Sequence, residues 1–170
     1  MLDTLHRLEA RLPELCRSLD GWRTVDVDYH PPRVERLVRD VDGLRLHLHV
    51  IHPCAPGVAL LHPHPWPSAM RVLEGVYEMG VGYGSGDAPP RIAATLVMHA
   101  PFEYEMVDPD GWHWVRPIGA PSLSVMVTGT PWDRWAPRSD APLGPLARAR
   151  AEEILGAFAR HYPARTAGAP

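Results

Sequence analysis

The chain contains no lysine, asparagine or glutamine, and apart from histidine every basic side chain is an arginine. Without lysine there is no Schiff-base amine and no P-loop lysine. Cysteine is nearly absent as well. Cys16 and Cys54 are the only two, too few for a disulfide framework or a thiolate cage around a metal, and Cys54 reads as an unreactive turn residue. The net charge is −3 with no basic run, so nothing marks a nucleic-acid partner. No apolar run approaches the ~20 residues that a membrane helix needs. No cationic stretch followed by an apolar core opens the chain either, as a secretory leader would. The expectation is a cytoplasmic protein with neither nucleic acid nor membrane as partner.

What is abundant is turn formers: 20 prolines and 14 glycines in 170 residues, spread between short apolar runs. That pattern predicts many strands joined by many turns. We expect one domain over 1–170, with an N-terminal helical segment at 1–21, a β region at 22–130 and a C-terminal helix at 143–162. Leu5, Leu8, Leu12, Leu15 and Leu19 recur at helical spacing, and Pro13 should kink or split that helix. Residues 33–38 fit either a strand or a helical turn. Leu44–Ile51 reads as a strand with Leu44, Leu46, Leu48 and Val50 on one face and Arg45, His47 and His49 on the other. Further strands are expected at 58–64, 70–73, 76–81, 91–99, 102–107, 114–118 and 122–128, with Gly80, Gly82, Gly84 and Gly86 in a loose loop. A Pro-rich stretch follows at 131–145, then a helix beginning at Pro145 and stopped by Pro163, then a disordered tail. The fold class is mainly β, an antiparallel sandwich or barrel with helices at its two ends.

The histidines carry the chemistry. His62 and His64 are two apart, so in extended backbone they face the same way. His113 follows a Pro109-Asp110-Gly111 turn where a strand begins. Three converging imidazoles suit zinc, iron, nickel or copper and leave positions open for water, oxygen or substrate. The rival pair His47 and His49 reads as a solvated or inter-sheet face. His6, His52 and His161 read as surface residues. His99, at the end of an apolar strand, is either a hydrogen-bonded core residue or a group near the substrate.

These residues resemble a known family. Gly57, four residues, His62-x-His64 and then Val72-Leu73-Glu74-Gly75 are similar to the first motif of the cupin superfamily. Pro109-x-Gly111-x-His113 is similar to its second motif, one residue shorter. The motifs and their spacer span about 57–128. The resemblance implies a cupin-like jelly-roll barrel (a double-stranded β-helix) with a metal in its mouth. At the usual position of a glutamate ligand stand Ser68 and Ala69, while Glu74 belongs to the solvent-facing turn, so the implied ligand set is His62, His64 and His113 alone. A set of neutral ligands leaves the full charge of the ion to hold an anion. Among cupins it resembles the thiol dioxygenases. The Ser of that family's Ser-x-His-x-Tyr signature is kept as Ser124, but Met126 and Thr128 replace the other two.

The resemblance therefore implies a non-heme oxygenase using Fe(II), with nickel, zinc or manganese as alternatives, acting on a small thiol or amino-acid-like substrate and O2. The alternatives are a non-oxidative metal-dependent lyase, isomerase or hydrolase, and a binding module without catalysis. His99, Tyr104 and Glu105 are the candidate catalytic groups, although alternation allows only Tyr104 or the Glu103/Glu105 pair to face the pocket. Ser68, Met70, Arg71, Ser124 and Met126 are the candidate substrate contacts. Arg71, Arg91 and Arg116 could each grip a carboxylate or serve as surface charges. Trp112 and Trp114 should point away from the metal. The resemblance also implies a homodimer through edge-strand pairing, which is common among cupins.

Overall fold

The computed structural model describes residues 1–163; the tail expected to be disordered lies outside them. The N-terminal leucine stripe forms two helices, α1 (Leu2–Glu9) and α2 (Leu12–Leu15). They part just before Pro13, where a ring without an N–H opens a new first turn. Ten strands follow: β1 (Arg23–Val27), β2 (Val34–Val41), β3 (Leu44–Ile51), β4 (His62–Pro63), β5 (Ser68–Glu74), β6 (Val76–Tyr83), β7 (Ile92–His99), β8 (Phe102–Met106), β9 (Gly111–Pro117) and β10 (Ser122–Thr128). The last element is α3 (Arg148–His161).

The strands form two antiparallel sheets, ordered β1-β2-β3-β10-β5-β8 and β4-β9-β6-β7. Facing each other, they make a jelly-roll barrel. The inner faces meet in a core of Val27, Val34, Ile51, Met70, Val72, Tyr77, Met79, Val115 and Met126. The outer face of the large sheet is apolar too. There Leu37, Leu46, Leu48, Val50, Val125 and Val127 pack against the leucines of α1 and α2 and against Ile154, Leu155 and Phe158 of α3.

This second core settles the orientation of β3. Its leucines face the helices, and His47 and His49 turn into the barrel with 4 % and 2 % of their surfaces exposed. The solvated alternative for this pair is thereby corrected. Residues 34–41 are strand: β2 pairs with β3 along its length, Arg36 opposite His49. Two other expectations also change. The strand expected at 58–64 shrinks to β4, because Pro63, Pro65 and Pro67 offer no N–H to a ladder. Gly80 and Gly82 sit inside β6 rather than in a loop. A Cβ at Gly80 would collide with the Trp114 indole, so the glycine lets the ring lie on the strand. No helix among the described residues is long and apolar enough to cross a membrane.

Candidate metal centre

β4 and β9 bring the histidines together. His62 and His113 are direct cross-strand partners, and His64 follows one residue beyond Pro63. The ring centroids stand 5.0 Å apart for His62 and His113, 4.6 Å for His64 and His113, and 5.5 Å for His62 and His64. One nitrogen from each ring lies within 4.8 Å of the other two. The Nε2 atoms of His64 and His113 are 2.9 Å apart. Two nitrogens sharing one ion at right angles, each bonded at about 2.1 Å, would stand about 3 Å apart.

The surroundings fix the tautomer of His62 and orient the ring of His64, while the buried Nδ1 of His113 has no partner. The Leu60 carbonyl accepts from His62 Nδ1–H at 2.9 Å, which leaves the His62 Nε2 lone pair bare. His64 Nδ1 is 2.8 Å from Ser68 Oγ, a contact that orients the ring in the same sense. Burial pushes the pKa of all three down, to about 4 for His62 and about 3 for His64, and well below the usual histidine value for His113. Neutral rings with their nitrogens gathered this closely are what a divalent ion requires. The donor set therefore fits a metal, and no carboxylate belongs to it.

The trio opens into a cavity of about 180 Å³ between the sheets. Its wall includes Tyr29, Arg36, His49, Met70, Tyr77, Tyr104, Val115 and Met126, with Ala136, Pro137 and Leu143 of the Pro-rich stretch across its mouth. Met70, Met126 and Tyr104 line the same cavity as the trio. The Tyr104 ring centroid lies 6.1 Å from that of His113, and its hydroxyl is 3.2 Å from Met70 Sδ. Burial pushes the Tyr104 pKa up, so it stays protonated and is a weak base. Ser68 is buried behind His64, where it holds that ring rather than lining the cavity. Ser124 is buried on the inner face with its hydroxyl unpartnered.

Three expected site residues lie elsewhere. Glu105 is on the outer face of β8, where it accepts from the Met1 ammonium at 2.8 Å and the Leu2 N–H at 3.0 Å. Arg71 is on the outer face of β5, paired with Glu103 and with Glu9. In both cases the opposite parity of the strand faces the barrel, and α1 supplies the partner or lies beside it. His99 is exposed at the end of β7, the edge strand of the small sheet, away from the cavity. Trp112 and Trp114 face away from the trio, and Trp112 stacks on Trp135 at 6.3 Å.

Arg36 and His49 were the residues that sequence reasoning missed. The available signal was the alternation Val34, Arg36, Val38, which becomes informative once β2 is paired with the His47/His49 strand.

No family model matches the sequence, and no curated protein matches it. Solved structures do. A crystal structure of FeII HppE aligns with 66 % of this chain and 58 % of its own at 15 % identity, with a TM-score of 0.50. The hydroxypropylphosphonic acid epoxidase from S. wedmorenis aligns over 66 % and 57 % at 18 % identity, TM-score 0.49. KdgF from Halomonas sp. aligns over 70 % and 89 % at 15 % identity, TM-score 0.45. The chain thus spans under three fifths of the first two. At these identities the likeness is one of fold, and the fold is the cupin-like jelly roll that the motifs implied.

Proposed function

We propose that the protein is a metal-dependent enzyme whose ion is held by His62, His64 and His113, and that it is a non-heme oxygenase acting on a small thiol or amino-acid-like substrate. One observation carries this reading: three buried or half-buried imidazoles each bring a ring nitrogen within 4.8 Å of the other two beside a half-open cavity. Fe(II) is the favoured ion, since a neutral nitrogen set suits it and FeII HppE is a protein with a similar barrel. Bound there, Fe(II) would supply a redox-active Lewis acid able to activate dioxygen beside the substrate.

The chain's own residues orient the reactants and keep water out. Met70, Tyr77, Val115 and Met126 make the cavity floor apolar. Tyr104, protonated beside His113, can donate a hydrogen bond toward the cavity. The non-oxidative alternative needs a general base or acid near the ion. Of its three candidates, Glu105 and His99 lie elsewhere, and Tyr104, held protonated, can serve as the acid and not as the base.

The test is elemental analysis of protein purified without a histidine tag, with an oxygen-electrode screen of thiols and amino acids. Near-stoichiometric iron and substrate-dependent oxygen uptake are expected. His113→Ala should weaken metal binding by more than about 100-fold, beyond the loss typical of removing an outer hydrogen-bond partner, while the apo-protein stays folded. A variant that keeps its metal would refute the ligand set. A zinc protein that turns substrate over anaerobically would move the reading to the non-oxidative class.

A further inference from the structure

We propose that the cavity takes its substrate as a small anion, and that Arg36 receives the anionic oxygens. The inference deepens the reading of the histidine centre and rests on it for where the reacting end of the substrate lies.

Arg36 comes from the inner face of β2 and lines the same cavity as the trio. Its guanidinium makes no hydrogen bond or ion pair with any described residue, and its Nε is buried without a partner. The other partly buried arginines are all partnered: Arg71 by Glu9 and Glu103, Arg116 by Glu78, Arg134 by Asp110, Arg150 by Glu35, and Arg39 by the Asp20 carbonyl and the Trp22 ring. No aspartate or glutamate lines the cavity. Opposite Arg36 stands His49 of the paired strand, and the arginine's charge also acts on Tyr29, His30, His47, His62 and His64. Burial pulls the arginine down to about 10, so it is still a cation at neutral pH.

A half-buried guanidinium with no acidic partner, its Nε withdrawn from water and unbonded, carries a desolvation cost. It is tolerated where an incoming anion supplies the missing charge. A guanidinium fork matches the paired oxygens of a carboxylate or a phosphonate. The walls between are apolar, Val34, Ile51 and Val115 among them. The cavity is small for a drug-sized ligand. Together these select a short molecule with an oxyanion at one end and the reacting atom toward the histidines.

Propionate, ethylphosphonate and uncharged propionamide are the probes, titrated into metal-free protein and followed by NMR line shifts and thermal melting. The wild type should bind at least one anion and show no comparable response to propionamide. Preference between propionate and ethylphosphonate assigns the carboxylate or the tetrahedral oxyanion. Arg36→Met should weaken anion binding by about tenfold or more and melt no lower than the wild type, because an unmatched charge has been removed. If it melts lower, Arg36→Lys carries the comparison: it keeps the charge but not the fork, and a drop in anion affinity at wild-type melting temperature supports the proposal. Propionamide binding as well as the anions, or anion binding undiminished in both variants, overturns it. Metal content measured on the same samples separates the two ideas. Metal uptake without anion binding ends this inference alone, whereas anion binding by a chain that takes up no metal ends the reading of the centre alone.

Discussion

The two faces of the six-stranded sheet differ in how they treat charge. On the outer face, under the helices, polar groups are matched. Glu35 accepts from Arg150 at 2.6 and 2.9 Å and bonds His52 at 2.8 Å. Arg71 bridges Glu9 and Glu103, His6 adds to Glu103, and Tyr162 donates to Glu9 at 2.6 Å. On the inner face the same strands carry Arg36, His47, His49, Ser122 and Ser124, and each has a buried atom without a partner. Unpaired buried groups are rare in folded proteins and call for a reason. Two of them, Arg36 and His49, line one cavity, so the outer face holds the fold together while at these two residues the inner face gives up stability for a ligand.

The largest effect on stability should therefore come from the outer face. Glu35 is 3 % exposed, and the Arg150 hydrogen bonds lower its pKa from 4.5 to about 2. Glu35→Ala strands Arg150 and His52 and should cost about 3 kcal/mol, the scale of a broken buried pair, read as a shift in the urea midpoint. A variant within about 0.5 kcal/mol of the wild type would show that the matched network is not what anchors α3 to the sheet.

Acid should separate the faces on the pH axis. Burial first, and then the charge of Arg36, hold His47 and His49 well below the usual value of 6.5. Below that pH the unfolded chain takes protons that the fold refuses, so stability falls as pH drops from 6.5, by up to about 1.4 kcal/mol per pH unit for each such histidine. In the metal-free protein the trio adds to this limb. Glu35 works the same way lower down: its stabilisation is full above about 4.5 and is lost as pH falls toward about 2. Urea midpoints at pH 7.5, 5.5 and 3.5 should show both limbs. His47→Leu with His49→Leu should make the first limb shallower and leave the second, and Glu35→Gln should do the reverse. A single limb beginning below 4.5 would mean that the inner histidines are charged in the fold.

The same two-faced burial explains what the sequence made legible. β10 and β3 could be read to their ends, because alternation marks a strand whichever side is buried. The trio was legible because its motif spacing encodes the β4–β9 pairing. Which face of β3 was inside was not legible, since helices bury its leucines and a second sheet buries its histidines. Glu105 and Arg71 were misplaced for a related reason: the N-terminal segment at and before α1, far away in the chain, is what captures or covers them, and no local pattern announces a contact of that range. Arg36 stayed hidden because 33–38 lacked a clear period until its partner strand was known.

The smallest effect is a matched pair of hydroxyl deletions. Tyr162→Phe removes the outer-face donor to Glu9 and should cost about 1–2 kcal/mol, as for a hydrogen bond to a charged group. Ser124→Ala removes an inner hydroxyl that is fully buried and bonds to nothing. It should be neutral or slightly stabilising, by about 0–1 kcal/mol, because the oxygen already forgoes water without compensation. The two deletions are of one atom each, so their difference measures the faces rather than the residues. Equal losses would mean that Ser124 has a partner in the folded protein, most simply a buried water, and the contrast between a satisfied exterior and an unsatisfied interior would shrink to Arg36 and the histidines.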